Sequence, residues 1–404
     1  MNHMEIRTDL ALEARESSAG RCEKEEGVSF EENFDEATGI RVTTVRILNK
    51  AGEQSIGKPM GTYITLEAES LEQDDEDCHR QVSEQLAEHL RKLVRKALAS
   101  GGAGKGGYTE KNGDTVKSDG AETCNDTATS NDTVANNGTA KSDGTVINSG
   151  TAMNNDTEQS SNTVKNSAME QSCDRAKGIT PTQDVPENEN TSPTILTVGL
   201  GNRAVTSDSL GPRVVDELWI TRHLEEASPK ISGIIPGVMA QTGMESAQIV
   251  RAIVAETEPQ LVIAIDALAA RSVSRLGTTI QITDTGIQPG SGVGNHRHSL
   301  TKESLGVPVI AIGVPTVVSA AAIVYDTVQS LTEILRQSEQ RQAADWMDEQ
   351  SPTERYQLIR ELVEPSLGPM MVTPKDIDER VSQLGHTIAE GMNIALLGAE
   401  DELA

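Results

Sequence analysis

Leu261-Val262-Ile263-Ala264-Ile265-Asp266-Ala267-Leu268-Ala269-Ala270-Arg271 is the stretch on which the fold turns. Its first five residues are wholly apolar and rich in β-branched side chains. A run that short and that dry reads as a strand buried on both faces of a parallel sheet, spanning Leu261 to Ile265 and ended by Asp266. Working outward, Ala247 to Glu256 reads as a helix leading into it. Thr194 to Leu200 is a second buried run, followed by a helix over Leu210 to Leu224. Thr278 to Thr283 and Val307 to Ile312 are further strands, Val317 to Leu335 a long helix. The tail from Thr373 to Leu397 is an amphipathic helix with Ile377, Val381, Leu384, Ile388, Met392 and Leu396 along one stripe. This alternation predicts an α/β core over residues 191–404, a mostly parallel sheet flanked by helices on both faces.

Ahead of that core, residues 10–99 read as a small α+β region. Ile40 to Leu48 alternates as a strand, Asn49-Lys50-Ala51-Gly52 reads as a turn, and Gly61 to Glu67 as a second strand. Asp75 to Leu98 has helical spacing, with Val82, Leu86, Leu90, Leu93, Val94 and Leu98 on one face. Residues 100–190 are different in kind. They contain no Leu, Phe or Trp and are dominated by Asn, Thr, Ser, Gly and Asp. Such a composition cannot bury enough apolar surface to offset the entropy of ordering, so a disordered insertion is expected. Lys117-Ser118-Asp119-Gly120 recurs at 141–144, but the period is irregular and no apolar position repeats with it, which disfavours a β-solenoid.

With 62 acidic against 35 basic residues the 404-residue chain has a formal charge of −27, and aromatic residues are only 2%. An acidic surface with few rings to stack on bases argues against direct nucleic-acid binding. No run approaches the roughly 18 apolar residues of a membrane span, and the charged start has no signal-type apolar segment. Cys22, Cys78, Cys124 and Cys173 are scattered without CxxC spacing. They read as free thiols of a cytoplasmic protein.

In an open α/β sheet, chemistry gathers in loops at the carboxyl ends of strands. Two acids stand there: Asp208, in the loop after the first core strand, and Asp266. A carboxylate directly after an apolar strand is costly unless paired, bonded or functional. Two of them on neighbouring strand ends can share a proton or a water. The other reading has Asp208 capping the helix at Leu210 and Asp266 capping the next turn, and the residues alone leave both open. Three other patterns are weaker. Gly199-Leu200-Gly201 lacks the third glycine of a dinucleotide fingerprint. Asp284-Thr285-Gly286 spells the triplet of pepsin-like proteases but occurs once, among α/β units. His296-Arg297-His298 is a lone HxH in a Gly-rich loop, short of a metal ligand set.

Longer motifs run in order along the chain. They are Ile6 to Ala14; Gly57-Lys58-Pro59 with Thr62 to Thr65; Gly199-Leu200-Gly201-Asn202 with Asp208 and Leu210-Gly211-Pro212; and Pro236 to Met239 with Thr242-Gly243 and Glu245. Ile263 to Arg271, Asp284-Thr285-Gly286 with Pro289 to Asn295, Leu305 to Thr316 and Met371 to Lys375 follow. Together they resemble the spore germination protease family and cover nearly all of the chain outside the insertion, which is not part of the family's pattern. Ser319 stands where that pattern often has an acid.

The resemblance implies an endopeptidase of the forespore and spore core that degrades small acid-soluble spore proteins at germination, related in fold to hydrogenase-maturation endopeptidases. The family's two catalytic acids match Asp208 and Asp266, one activating water as base, the other starting protonated. It also implies a zymogen. Residues 1–9 would be a propeptide, removed by self-cleavage between Asp9 and Leu10 within Thr8-Asp9-Leu10-Ala11-Leu12-Glu13, a segment similar to the substrates' cleavage motif. A homotetramer is expected, with no cofactor and no metal. Two alternatives are a maturation-type endopeptidase acting on a metalloprotein precursor, and a catalytically silent spore-core protein that only binds acid-soluble spore proteins.

Overall fold

The computed structural model describes residues 8–19, 27–72, 75–101, 192–290, 298–337 and 350–398. The chain divides into two compact units, Met1–Gly106 with Asn188–Ala404, and Gly107–Glu187. Every described element belongs to the first. Residues 102–190 of the expected insertion, residue 191 of the expected core, most of the expected propeptide, His296, and Cys22, Cys124 and Cys173 lie outside the described residues.

One sheet organises the first unit. Its strands are β1 (Val28–Asp35), β2 (Ile40–Ile47), β3 (Gly61–Glu67), β4 (Thr194–Gly199), β5 (Lys230–Ile234), β6 (Leu261–Ala270), β7 (Thr279–Thr283), β8 (Val309–Ser319) and β9 (Met371–Val372). They lie in the order β1-β2-β3-β7-β8-β6-β4-β5, with β9 paired to β8. The parallel half is β8-β6-β4-β5, of which β8, β6 and β4 were expected from their apolar runs. β1, β2, β3 and β7 extend it antiparallel, so the sheet as a whole is mixed and the N-terminal region is part of it.

Helices cover both faces. On the first face, α3 (Glu76–Gly101), α4 (Leu210–Glu217) and the C-terminal helix Ile377–Leu397 bury Leu86, Leu90, Val214, Val381, Ile388 and Met392 against Ile195, Ile263, Ile265, Ile282 and Ile312. On the second, α6 (Ser246–Thr257), which follows the one-turn α5 (Met239–Thr242), and the short α7 (Lys302–Leu305) pack Val250, Val254 and Leu305 on Val198, Val262 and Ala264. Farther along the sheet, α1 (Ala11–Ala19) and α2 (Lys50–Ile56) enclose a small core of Ala11, Val45, Ile47, Ile56 and Tyr63. At roughly 25 cal/mol per Å² of apolar area, strands dry on both faces are the main source of stability.

Several expected boundaries move. Asn49 to Gly52 is no turn: the Asn49 side chain accepts the Gly52 N–H at 3.0 Å and caps α2. β6 does not stop at Ile265 but runs through Asp266 to Ala270, because β8 continues beside it to Val318 across an irregularity at Leu268. The long helix (α8, Ala320–Gln337) accordingly starts after Ser319, and Val317–Ser319 remain strand. α4 ends at Glu217, and the closing helix starts at Ile377. Helix α9 (Pro352–Leu367), α1, β1 and β5 had no counterpart in the sequence reading.

Candidate active site

The parallel half contains one switch in strand order. From β4 the chain passes through α4 on the first face to β5 on one side. It then returns through α6 on the second face to β6 on the other side. The carboxyl edge between β4 and β6 is therefore the place where flanking loops part and a crevice forms. Both candidate acids come to this edge.

β4 pairs with β6 only as far as Gly199 opposite Ile265, and the Leu200 N–H makes the last bond to the Ile265 carbonyl at 2.8 Å. Asp266 is the next residue, the first of β6 beyond that pairing. It sits opposite Gly313 of β8 and shares the face of Val262 and Ala264 by strand alternation. It is 5% exposed, and its Oδ1 accepts the Ala267 N–H at 3.0 Å. It therefore lies within a strand and does not cap a turn.

The loop after β4 doubles back over this edge. Gly201 has φ 112°, and a Cβ there would stand 2.0 Å from the Asp208 carbonyl oxygen, so only glycine allows the fold-back. The Asn202 N–H donates to that same carbonyl at 2.9 Å. Thr206–Asp208 forms a 3₁₀ turn packed on β6 and β8, where the Thr316 hydroxyl donates to the Ser207 carbonyl at 2.6 Å. Asp208 is half-buried, and the position before α4 belongs to Ser209 instead. A Cβ at Gly211 would lie 2.6 Å from the Ile265 carbonyl, so α4 starts hard against the strand that carries Asp266.

The predicted cleavage segment docks farther along the same strand. Asp9 donates its N–H to the Ala269 carbonyl at 3.2 Å and accepts the Ala269 N–H on Oδ2 at 3.0 Å. Leu10 and Ala11 are fully buried, so from Thr8 onward this is not the frayed terminus that charge alone would suggest. Glu13, 1% exposed, is held by the Thr8 hydroxyl, by the N–H groups of Arg271 and Ser272 at 2.8 and 2.9 Å, and by Arg275 at 3.6 Å. Burial raises its carboxyl above the ordinary range against the lowering pull of those partners. A cavity of about 430 Å³ opens beside the segment, lined by Asp9, Lys58, Tyr63, Leu268, Gln281 and Gly313, among others. Lys58, Gln281 and Glu13 escaped the sequence reading as functional candidates. The available signals were Gln281 between Ile280 and Ile282 in the buried strand β7, and the Lys58 of a quoted motif.

The remaining patterns resolve differently. Asp284 accepts the Thr62 N–H at 2.7 Å and pairs with Lys96 at 2.7 Å, which joins β3, β7 and α3. His298 pairs with Glu245. Among the described residues no group of three or more His, Cys, Asp or Glu is arranged to hold a metal ion, Cys78 is a buried free thiol, and no helix is long and apolar enough to cross a membrane.

The germination protease family model matches residues 4–101, 108–345 and 330–402. The germination protease of Caldanaerobacter subterraneus subsp. tengcongensis is 36% identical over 401 residues, covering 97% of this chain and 94% of its own. Those of Clostridium perfringens (strain ATCC 13124) and Clostridium acetobutylicum are 33% and 34% identical, each over 97% of this chain and 95% of their own. Among solved structures, the [NiFe] hydrogenase maturation protease HycI of Thermococcus kodakarensis covers 50% of this chain and 95% of its own, at 18% identity and a TM-score of 0.26, too distant to carry an argument. The chain belongs to the germination protease family, and its class is that of an endopeptidase of spore germination.

Proposed function

We propose that the chain is a self-processing endopeptidase of the forespore and spore core that begins the degradation of small acid-soluble DNA-binding spore proteins, with Asp208 and Asp266 as a water-activating pair. The observation that supports it is that both acids stand at the carboxyl edge of β4 and β6, where the order of the parallel strands switches. The ionised carboxylate takes a proton from water, and the hydroxide adds to the scissile carbonyl carbon. The protonated partner gives its proton to the departing amine as the C–N bond breaks. Two carboxyls in one crevice cannot both ionise cheaply, which supplies one of each form. Their protonation belongs to the pair and not to either residue.

Self-processing between Asp9 and Leu10 is supported by the docking of that segment on the strand that carries Asp266. Assembly as a homotetramer belongs to the same reading. It is supported by Leu331 and Ile334 on α8 and Leu358 and Leu362 on α9, which are exposed on a pair of packed helices. Intact mass and amino-terminal sequencing of the wild type beside Asp208→Asn and Asp266→Asn test the processing step. The wild type alone should acquire a new terminus at Leu10. Identical trimming of all three would point to another protease or other catalytic residues.

A further inference from the structure

Two motifs of the sequence, Leu305 to Thr316 and Met371 to Lys375, supply neither candidate acid, yet a threonine from each joins a chain of bonds that ends at the turn carrying Asp208. Along β8 the pairing with β6 sets Leu268 opposite Pro315 and then Ala269 opposite Val317. Thr316 is passed over, the extra residue of a bulge. A bulge takes its residue out of the ladder and re-aims its side chain. Thr316 is 1% exposed, and its hydroxyl donates to the Ser207 carbonyl at 2.6 Å. Its own carbonyl accepts the hydroxyl of Thr373, just past β9, at 2.8 Å.

The Ser207 carbonyl lies in the same rigid peptide plane as the Asp208 N–H. That N–H donates to the Val205 carbonyl at 2.8 Å, so the plane leading into Asp208 is held at both ends. The bond to Val205 is internal to the loop and fixes its shape, as does the bond from Asn202 to the Asp208 carbonyl. The Thr316 bond ties that shape to β8. Three residues earlier on β8, Gly313 sits opposite Asp266. One strand thus references both acids, Asp266 through its ladder and the Asp208 turn through its bulge. We infer that Thr316 is a positioning residue for Asp208, and that Thr373 holds Thr316 in turn. The inference deepens the proposed function and rests on its reading of Asp208. Misplacing a reacting group by about 1 Å costs on the order of a hundredfold in rate, so a single hydroxyl can matter this much at a distance from the chemistry.

The experiment uses full-length chains. It follows the first-order rate at which the Leu10 terminus appears and, once each chain is processed, kcat and KM on a small acid-soluble spore protein. Thr316→Val keeps the shape of the side chain and removes its donor. It should lower the processing rate and kcat by about ten- to a hundredfold with KM unchanged. Thr316→Ser, which restores the hydroxyl, should recover most of both rates. Thr373→Val should lower kcat about threefold, and should add nothing in a chain that already carries Thr316→Val. Asp284→Asn, which loses a fastening elsewhere in the fold, should keep both rates and so separates lost position from lost stability. Should Thr316→Val fail to fold, Thr316→Ser and Thr373→Val carry the comparison. Rates retained in Thr316→Val, or a fall that Thr316→Ser does not recover, overturn the positioning role while the endopeptidase reading stands. If the unsubstituted chain is inactive, or Asp208→Asn is fully active, the parent reading fails and the inference with it.

Discussion

Asp266 and Asp284 show how much one residue's neighbours decide. Both follow predicted strands, and from sequence both were weighed for chemistry. Asp284 turns out to be a fastener, with one oxygen on a backbone N–H of β3 and the other on Lys96 of α3. Asp284→Asn should therefore lower stability by about 1–2 kcal/mol in urea unfolding and leave peptide hydrolysis nearly unchanged. Asp266 stood out as a candidate because an ionisable group beside a dry strand needs a reason. Glu13 was not, since nothing in a charged N-terminal segment announces a buried carboxyl. Its raised pKa carries a definite sign: the folded chain holds this proton more tightly than the unfolded chain. The group's contribution is thus fullest below the unfolded value and is lost as pH rises through the folded one. Unfolding free energy measured from about pH 4 to about pH 7 should contain this falling component, and Glu13→Gln should remove it.

Among the elements, those with a strong period were readable and those defined by their neighbours were not. α3, α6 and the closing helix announce themselves through apolar stripes, and β4 and β6 through dry runs. The extension of β6 over Ala267–Ala270 is invisible because alanine has little strand preference, and only β8 alongside makes it strand. β1 is an edge strand of exposed acidic residues, which suits an edge but carries no pattern. α2 was mistaken for a turn because asparagine, lysine and glycine serve both, and the cap at Asn49 decides for helix. Asn49→Ala should cost about 1 kcal/mol of stability by thermal or urea unfolding. Because α2 helps enclose the core under α1, the same variant should loosen residues 8–19, seen as faster hydrogen exchange there.

For the molecule as a whole, the alternating pattern was sufficient for an α/β sheet with both faces covered. It was insufficient for the antiparallel arm, whose joining to β8 through β7 depends on long-range pairing. Replacing residues 107–187 by a Gly/Ser linker of about 20 residues should leave stability and hydrolysis close to the wild type, since all described elements belong to the other unit. The most direct test of the two-aspartate account is kcat on a small acid-soluble spore protein for a chain begun at Leu10, with Asp208→Asn, Asp266→Asn and the double variant. Residues that act as a unit lose their effect together. Each single variant should fall by about a thousandfold or more, and the double variant by no more than either single one. Activity retained in either single variant, with the fold intact, would contradict the account.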